Sequence, residues 1–177
     1  MSPLVTDASR YQAVEALRDG RRLIVRAFAP EDAAGLGAAV DRASAQTLYR
    51  RFFTVKRHFS ERETDFFFNV DFVDHVALIA EVEEAGKPTI VAGGRYVVVT
   101  PGKAEVAFAV IDAYQGHGIG KILMRHLTAI ARAAGLRELV AEVLPENVPM
   151  LKVFEKSGLR TNTTRDAEVV HVTLTLD

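Results

Sequence analysis

Six stretches of the chain are rich in the apolar, β-branched and aromatic residues typical of strands: 21–28, 75–84, 89–99, 104–111, 136–144 and 169–176. The second, third and fourth follow one another through the turns AGKP and TPGK. Three strands joined by tight turns predict an antiparallel meander in the middle of the chain.

Helical spacing of apolar residues marks the segment 118–134, and Gly135 then ends that helix. Shorter helices are predicted at 30–44, 44–53, 60–70 and 147–158, with start signals at Pro30 and Ser44 and a capping box formed by Ser60 and Glu63. Because a helix connects the stretches 104–111 and 138–144, we expect those two strands to be parallel.

These elements predict a mixed α/β fold in a single domain covering residues 1–177, with residues 1–10 mobile. The composition fits that picture, with 49% hydrophobic and 25% charged residues and a formal net charge of −1. This charge balance does not favour a nucleic acid or an anionic membrane as partner. No cysteine, signal peptide or long apolar run is found, so we expect a cytoplasmic protein without disulfides or a metal site, either monomer or homodimer.

Candidate chemistry centres on the segment 112–124, DAYQGHGIGKILM, where glycines alternate just before a helix. Such a loop directs several backbone N–H groups at one anion, and the helix N-terminus adds partial positive charge. A P-loop would need glycine at Gln115 and a hydroxyl at Ile122, and a dinucleotide fingerprint would need glycine at Lys121. Both nucleotide motifs therefore fail, while a phosphate or pyrophosphate cradle remains, beside the alternative of a plain strand-to-helix connection.

The spacing Q-x-x-G-x-G, from Gln115 through Gly118 and Gly120, resembles the GNAT acyltransferase superfamily, and the order of elements agrees along nearly the whole chain. The resemblance implies acetyl-CoA as cosubstrate. It also implies a sheet splayed between its two parallel strands, where the coenzyme would lie. The residues that would hold the coenzyme are Val110 at the pantetheine and, at the pyrophosphate, Gln115, Gly116, His117, Gly118, Ile119, Gly120 and Lys121.

The segment 146–159, ENVPMLKVFEKSGL, resembles a later helix of the same family. The resemblance implies that Asn147 contacts the coenzyme, and the residue also suits a helix N-cap. Many family members carry a tyrosine seven residues further on, as proton donor to the leaving thiolate. Here that position is Phe154, which lines the same site but cannot donate a proton, so the thiolate leaves unaided or another group assists.

Acyl transfer to an amine needs a base, because an ε-amine with a pKa near 10.4 is protonated at neutral pH. Glu105 is the candidate, since it lies in a strand expected to be buried, where desolvation would make its carboxylate a better base. It shares a face with Ala107 and Ala109, whose small side chains leave room for a substrate. The alternative is a solvent-facing position on the strand. The backbone N–H of Val110 is a weaker candidate for polarising the thioester carbonyl.

Several stretches, among them LYRRFF and DHVALIA, resemble the acetyltransferase domain of bacterial protein lysine acetyltransferases. The resemblance implies a protein lysine ε-amine as acceptor, with Arg50, Arg51, Asp71 and Asp74 as candidates for setting acceptor preference. A small amine or amino acid is the alternative acceptor, and a non-catalytic acetyl-CoA sensor is the alternative to an enzyme.

Overall fold

The computed structural model describes residues 7–53 and 58–176 of the chain. The strands are β1 (Gln12–Ala16), β2 (Arg22–Ala27), β3 (His75–Glu84), β4 (Lys87–Thr100), β5 (Lys103–Val110), β6 (Glu138–Val143), β7 (Arg160–Arg165) and β8 (Val170–Thr175). The α-helices are α1 (Ala33–Arg42), α2 (Ala45–Phe52), α3 (Glu61–Phe68), α4 (Ile119–Ala133) and α5 (Val148–Glu155). Short 3₁₀ turns lie at Ala8–Arg10, Pro30–Asp32 and Asp112–Tyr114.

The eight strands form one open sheet in the order β1-β2-β3-β4-β5-β6-β8-β7. Every neighbouring pair is antiparallel except β5 and β6, which are parallel. The expected meander is β3-β4-β5, and its turns place Ala85 and Gly86, and later Gly102, at positive φ. The mixed fold and its one parallel junction are therefore confirmed.

The two faces of the sheet are covered by different helices. Helix α4 packs tightly on one face, where a Cβ added to Gly94 would lie 2.7 Å from Cδ1 of Phe108. Helices α1, α2 and α3 cover the other face, and a cavity remains between them and the sheet. Strand register places Arg95 opposite Ala107, and Gly93 opposite Ala109, on this second face. Because glycine and alanine have small side chains, the sheet leaves space for the cavity at these positions.

Two edge strands were not predicted from the sequence. In β1 the residues alternate between exposed and half-buried, and β7 is almost wholly exposed. The dipeptide Asp19-Gly20 in the β1–β2 turn, with Gly20 at φ 88°, was the one local sign of a hairpin.

One predicted boundary also changes in the N-terminal part of the chain. The helix expected at 30–44 begins as the 3₁₀ turn Pro30–Asp32, and α1 follows it. Of the segment expected to be mobile, residues 1–6 lie outside the described residues. Among the residues that the structure describes, no helix is both long and apolar enough to span a bilayer.

Candidate active site

The sheet opens between its two parallel strands. Only three residue pairs join β5 to β6, namely Lys103–Glu138, Ala104–Leu139 and Glu105–Val140. Beyond them the strands diverge around a cavity of about 440 Å³, which both strands line together with the glycine loop and α5. A ligand in this opening can therefore lie alongside the free edge of β5.

The glycine loop lies at one end of the cavity and presents backbone N–H groups that have no described hydrogen-bond acceptor. Among the described residues, no backbone N–H from Gly116 to Lys121 has an acceptor, whereas the N–H of Ile122 donates to the carbonyl of Gly118 at 3.1 Å. Gly116 and Gly118 have φ values of 82° and 84°, which an L side chain rarely adopts. A Cβ at either glycine would meet nothing within 4 Å, so the space above the loop is open. Six consecutive free N–H groups at a helix N-terminus form a site for a phosphate group.

The cavity is positively charged although the chain as a whole is nearly neutral. Its lining holds one carboxylate, Glu142, and six cationic residues, which are Arg18, Arg50, Arg51, Lys121, Lys152 and Lys156. Nε of Arg50 is buried without a hydrogen-bond partner in the described part of the chain. This imbalance favours a polyanionic ligand.

Gln115 holds the loop in place with its side chain. Its Nε2 donates to the carbonyl oxygen of Val110 at 2.9 Å and to Oγ1 of Thr47 at 3.0 Å, and its own N–H donates to the carbonyl of Asp112. Since all these donors are used inside the protein, Gln115 holds the shape of the glycine loop and does not offer a free donor to a ligand there.

The main chain of Val110 faces the opening. Its neighbour Ile111 donates an N–H to the carbonyl of Val91 in β4. Because successive backbone groups of a strand point to opposite sides, the N–H and carbonyl of Val110 point away from β4, into the gap. Nε2 of Gln115 donates to the carbonyl oxygen of Val110, and the N–H of Val110 points into the cavity.

Asn147 and Phe154 line the cavity from the side of α5. Oδ1 of Asn147 caps the helix by accepting from the N–H of Met150 at 3.3 Å, while its Nδ2 makes no hydrogen bond with a described residue. Asn147 therefore caps the helix and keeps a donor for a ligand. Phe154 is buried, with its ring centroid 6.1 Å from that of Phe108, and brings no proton donor to the opening.

His117 and Glu105 are the two predicted site residues that do not line this cavity. Nδ1 of His117 lies 3.9 Å from Oδ2 of Asp19 in the β1–β2 turn. Glu105 lies at the fork of the opening, as the last residue of β5 that pairs with β6. Its side chain is exposed, so the expectation that it is buried was wrong.

A polar network joins α2 to the glycine loop. Asp112 accepts from the N–H of Ser44 at 2.8 Å, from Oγ of Ser44 at 2.7 Å and from Oγ1 of Thr47 at 3.0 Å. Partial burial acts to raise the pKa of Asp112, but the hydrogen bonds from Ser44 and Thr47 outweigh it and hold that pKa below its usual value. The same Thr47 hydroxyl accepts from Gln115, so α2 and the loop are held as one unit.

Sequence reasoning missed Thr47, Asp112, Arg18 and Arg95. The first two look like ordinary capping and turn residues in the sequence, Arg18 belongs to the unpredicted β1–β2 hairpin, and Arg95 lies in a strand otherwise read for its apolar residues. Asp71 uses Oδ1 to accept from the N–H groups of Val73, Asp74 and His75, each at 2.9 Å. Neither Asp71 nor Asp74 lines a cavity at the site.

Comparisons with known proteins agree with this geometry. The model of the acetyltransferase (GNAT) family matches residues 42–159. Acetyltransferase Pat of Mycolicibacterium smegmatis is 36% identical over 117 residues, which cover 65% of this chain and 34% of that protein. Acetyltransferase PA5475 of Pseudomonas aeruginosa is 33% identical over 127 residues, which cover 71% of this chain and 68% of that protein.

Among solved structures, the GNAT domain of S. lividans PAT superposes with a TM-score of 0.83 at 35% identity, covering 93% of this chain and 97% of that one. The chain thus matches nearly the whole of a GNAT domain but only about a third of the length of the Pat protein. By sequence, by fold and by the geometry of its opening, the chain belongs to the GNAT family of acetyltransferases, which use acetyl-CoA as acetyl donor.

Proposed function

We propose that this domain transfers the acetyl group of acetyl-CoA to a primary amine, with a lysine ε-amine of a protein as the favoured acceptor. The observation that carries the proposal is the splayed opening of β5 and β6, which ends at six free N–H groups and is lined by an excess of cations. The resemblance to bacterial protein lysine acetyltransferases and the similarity to Acetyltransferase Pat favour a lysine acceptor.

In the proposed reaction the coenzyme pyrophosphate lies on the N–H groups of Gly116–Lys121, and the pantetheine arm runs along β5. The N–H of Val110 and Nδ2 of Asn147 are the donors available to that arm. Extended main chain and a free amide are suitable partners for the amide groups of pantetheine.

Glu105 takes the proton of the acceptor ammonium, directly or through a water molecule. The neutral amine nitrogen then bonds to the thioester carbonyl carbon, the carbon–sulfur bond breaks, and its electron pair leaves on the coenzyme sulfur. One of the two protons still on nitrogen is then lost to solvent, and the other stays on the nitrogen of the amide product. Phe154 offers no proton, so the sulfur leaves as a thiolate, whose basicity is modest.

The distance along β5 decides between two roles proposed for Val110. Val110 lies five positions after Glu105, which is about 16 Å of extended strand. The two residues therefore do not act on the same reacting carbon. We assign Val110 to the pantetheine and drop it as donor to the thioester carbonyl. Strand alternation turns the N–H groups of Val106 and Phe108 into the same gap, nearer Glu105.

A small amine or amino acid is the second candidate acceptor, and one feature favours it. A second cavity, of about 420 Å³, lies between the sheet and helices α1, α2 and α3. It adjoins the cavity between β5 and β6, here called the coenzyme cavity. A pocket of this size can take a whole small molecule, whereas a lysine side chain would fill only part of it.

Release of the free thiol from acetyl-CoA tests the proposal. The panel of acceptors contains lysine peptides, the same peptides with norleucine in place of lysine, free amino acids and simple amines. Transfer that requires the lysine amine supports a protein acceptor, and transfer confined to small amines supports the second candidate. Tight binding of acetyl-CoA without transfer to any amine would overturn the enzymatic proposal.

A further inference from the structure

The second cavity lies against the coenzyme cavity, and the two share a wall. Thr47, Arg51, Ala107, Ala109 and Val110 line both. The lining is otherwise mostly apolar, with Leu36, Leu48, Phe59 and Phe67 among the helix residues. A molecule held in this cavity can reach the thioester across the two alanines.

Two arginines interrupt this apolar lining. Arg51 projects from α2 and Arg95 from β4, and both are half-buried. The guanidinium carbon of Arg51 lies 4.7 Å from the ring centroid of Phe52, and that of Arg95 lies 4.8 Å from the ring centroid of Phe67. The aromatic rings hold the two guanidinium groups in place without neutralising their charge.

Neither arginine forms an ion pair with a carboxylate among the described residues. Nη1 of Arg95 donates to the carbonyl oxygen of Phe67 at 3.1 Å and lies 2.9 Å from Nε2 of His75. No described acceptor lies within hydrogen-bond distance of Arg51. The stretch 54–57, Thr-Val-Lys-Arg, contains no acidic residue that could supply one.

The surroundings do not favour the charged form of either group. Burial, and after it the charge of Arg51, lower the pKa of Arg95 to about 9. Burial likewise lowers the pKa of Arg51 to about 10, against which Glu105 acts weakly. His75 is neutral at physiological pH, because burial and then Arg95 lower its pKa to about 4. Asp41 of α1 is the one carboxylate among the described lining residues, but it is exposed and forms no ion pair with either arginine, so both cations lack an ion-pair partner.

Two cations without an ion-pair partner in a mostly apolar cavity are unfavourable unless an anion joins them, and guanidinium groups match the two oxygens of a carboxylate. We propose that the acceptor of this enzyme carries a carboxylate near its amine, and that Arg51 and Arg95 bind this carboxylate together. The inference rests on the proposed acetyl transfer. The carboxylate belongs either to a free amino acid or to an acidic side chain beside the target lysine of a protein.

Matched acceptors test the inference. Leucine is compared with 3-methylbutylamine, which lacks only the carboxylate, and a Lys-Glu peptide is compared with its Lys-Gln counterpart. One of the two pairs represents the true acceptor. In that pair we expect kcat/KM to be at least about tenfold higher for the member that carries the carboxylate. Equal kcat/KM within both pairs would overturn the proposal.

The variants Arg95→Met and Arg51→Met should each remove this preference. Arg95 does not line the coenzyme cavity, so its variant should leave the KM for acetyl-CoA unchanged. Arg62→Met is the control, because Arg62 is exposed on α3 and lines neither cavity. Loss of activity by the same factor for acceptors with and without carboxylate would contradict the assignment.

A binding experiment on the unaltered protein keeps the test independent of folding and of turnover. We expect 4-methylpentanoate, which has the carboxylate but no amine, to raise the melting temperature, while its neutral amide does not. Carboxylate binding without acetyl transfer would overturn the proposed function and keep the anion site. Acetyl transfer without any response to carboxylates would keep the proposed function and overturn the anion site.

Discussion

Glu105 and Val140 form the last residue pair between the parallel strands, and the sheet opens immediately after them. The candidate base therefore lies at the fork, on the side from which an acceptor would approach across Ala107 and Ala109. Its neighbour Arg51 carries the charge that Glu105 partly offsets. This position suits a group that exchanges protons with solvent and touches the amine, rather than one that holds the coenzyme.

Replacing Glu105 by glutamine should lower kcat by about 10²–10⁴ and leave the affinity for acetyl-CoA unchanged, because only proton removal is lost. Steady-state kinetics and calorimetry on the same preparation measure the two quantities. Glu138→Gln is the control, since Glu138 lies in the neighbouring strand and pairs with Lys103 outside the cavity. An unchanged kcat at neutral pH would exclude Glu105 as the base.

Gly118→Ala should weaken acetyl-CoA binding by at least about tenfold, because φ of 84° is unfavourable for alanine and the loop N–H groups would lose their alignment. Gly135 offers a matched control: its φ is 83° and a Cβ there also meets nothing within 4 Å, but it lies at the far end of α4. Both variants should lose about 1–2 kcal/mol of unfolding free energy. If both bind acetyl-CoA equally well in calorimetry, the loop is not the pyrophosphate site.

Gln115→Leu should raise the KM for acetyl-CoA several-fold with a smaller effect on kcat, because the side chain connects the loop to β5 and α2 without touching the reacting atoms. Gln46→Leu on the exposed side of α2 is the comparison variant. A KM equal to that of the unaltered protein would show that the loop keeps its shape without this connection.

His75 should make stability depend on pH in the mildly acidic range. Burial and the charge of Arg95 lower its pKa from the usual 6.5 of histidine to about 4 in the folded protein. Between these two values the unfolded chain binds more protons than the folded one, so stability falls as the pH drops from 6.5 to 4. We expect a loss of about 2 kcal/mol by pH 5 relative to pH 7.5.

Urea unfolding of the unaltered protein and of His75→Asn at both pH values isolates this effect, since asparagine keeps a hydrogen-bond acceptor for Arg95 but does not titrate. The variant should lose less stability on acidification than the unaltered protein does. Parallel losses in the two proteins would mean that His75 does not change its protonation on unfolding in this range.

The sequence predicted those elements whose pattern depends only on burial within the sheet. The apolar spacing predicted the meander, which is formed by β3, β4 and β5. It also predicted the crossover helix, which is α4. Strands β1 and β7 lie at the edges, where too few side chains are buried to leave a pattern. Each pairs with the strand that follows it in the chain, but its exposed polar residues give local propensity little to detect.

The candidate site likewise contains residues that could be predicted from the sequence and residues that could not. The glycine loop could be recognised because its backbone geometry demands particular residues at particular positions. Glu105 was placed on the correct face with Ala107, but its exposure depends on tertiary packing that the strand pattern does not show. Arg95 shares that face too, and only the helices packed above it turn a surface arginine into a cavity residue.

The three-residue contact between β5 and β6 has a consequence for the lifetime of the protein. Past Glu105 and Val140, the edges of both strands face a gap that no other strand fills. A bound coenzyme would fill this gap and engage the main chain as a missing strand would. At one hundred times its dissociation constant, such a ligand adds about 2.7 kcal/mol to stability. Resistance to proteolysis should then rise and fall with the acetyl-CoA supply of the cell, so that the enzyme persists when its donor is plentiful.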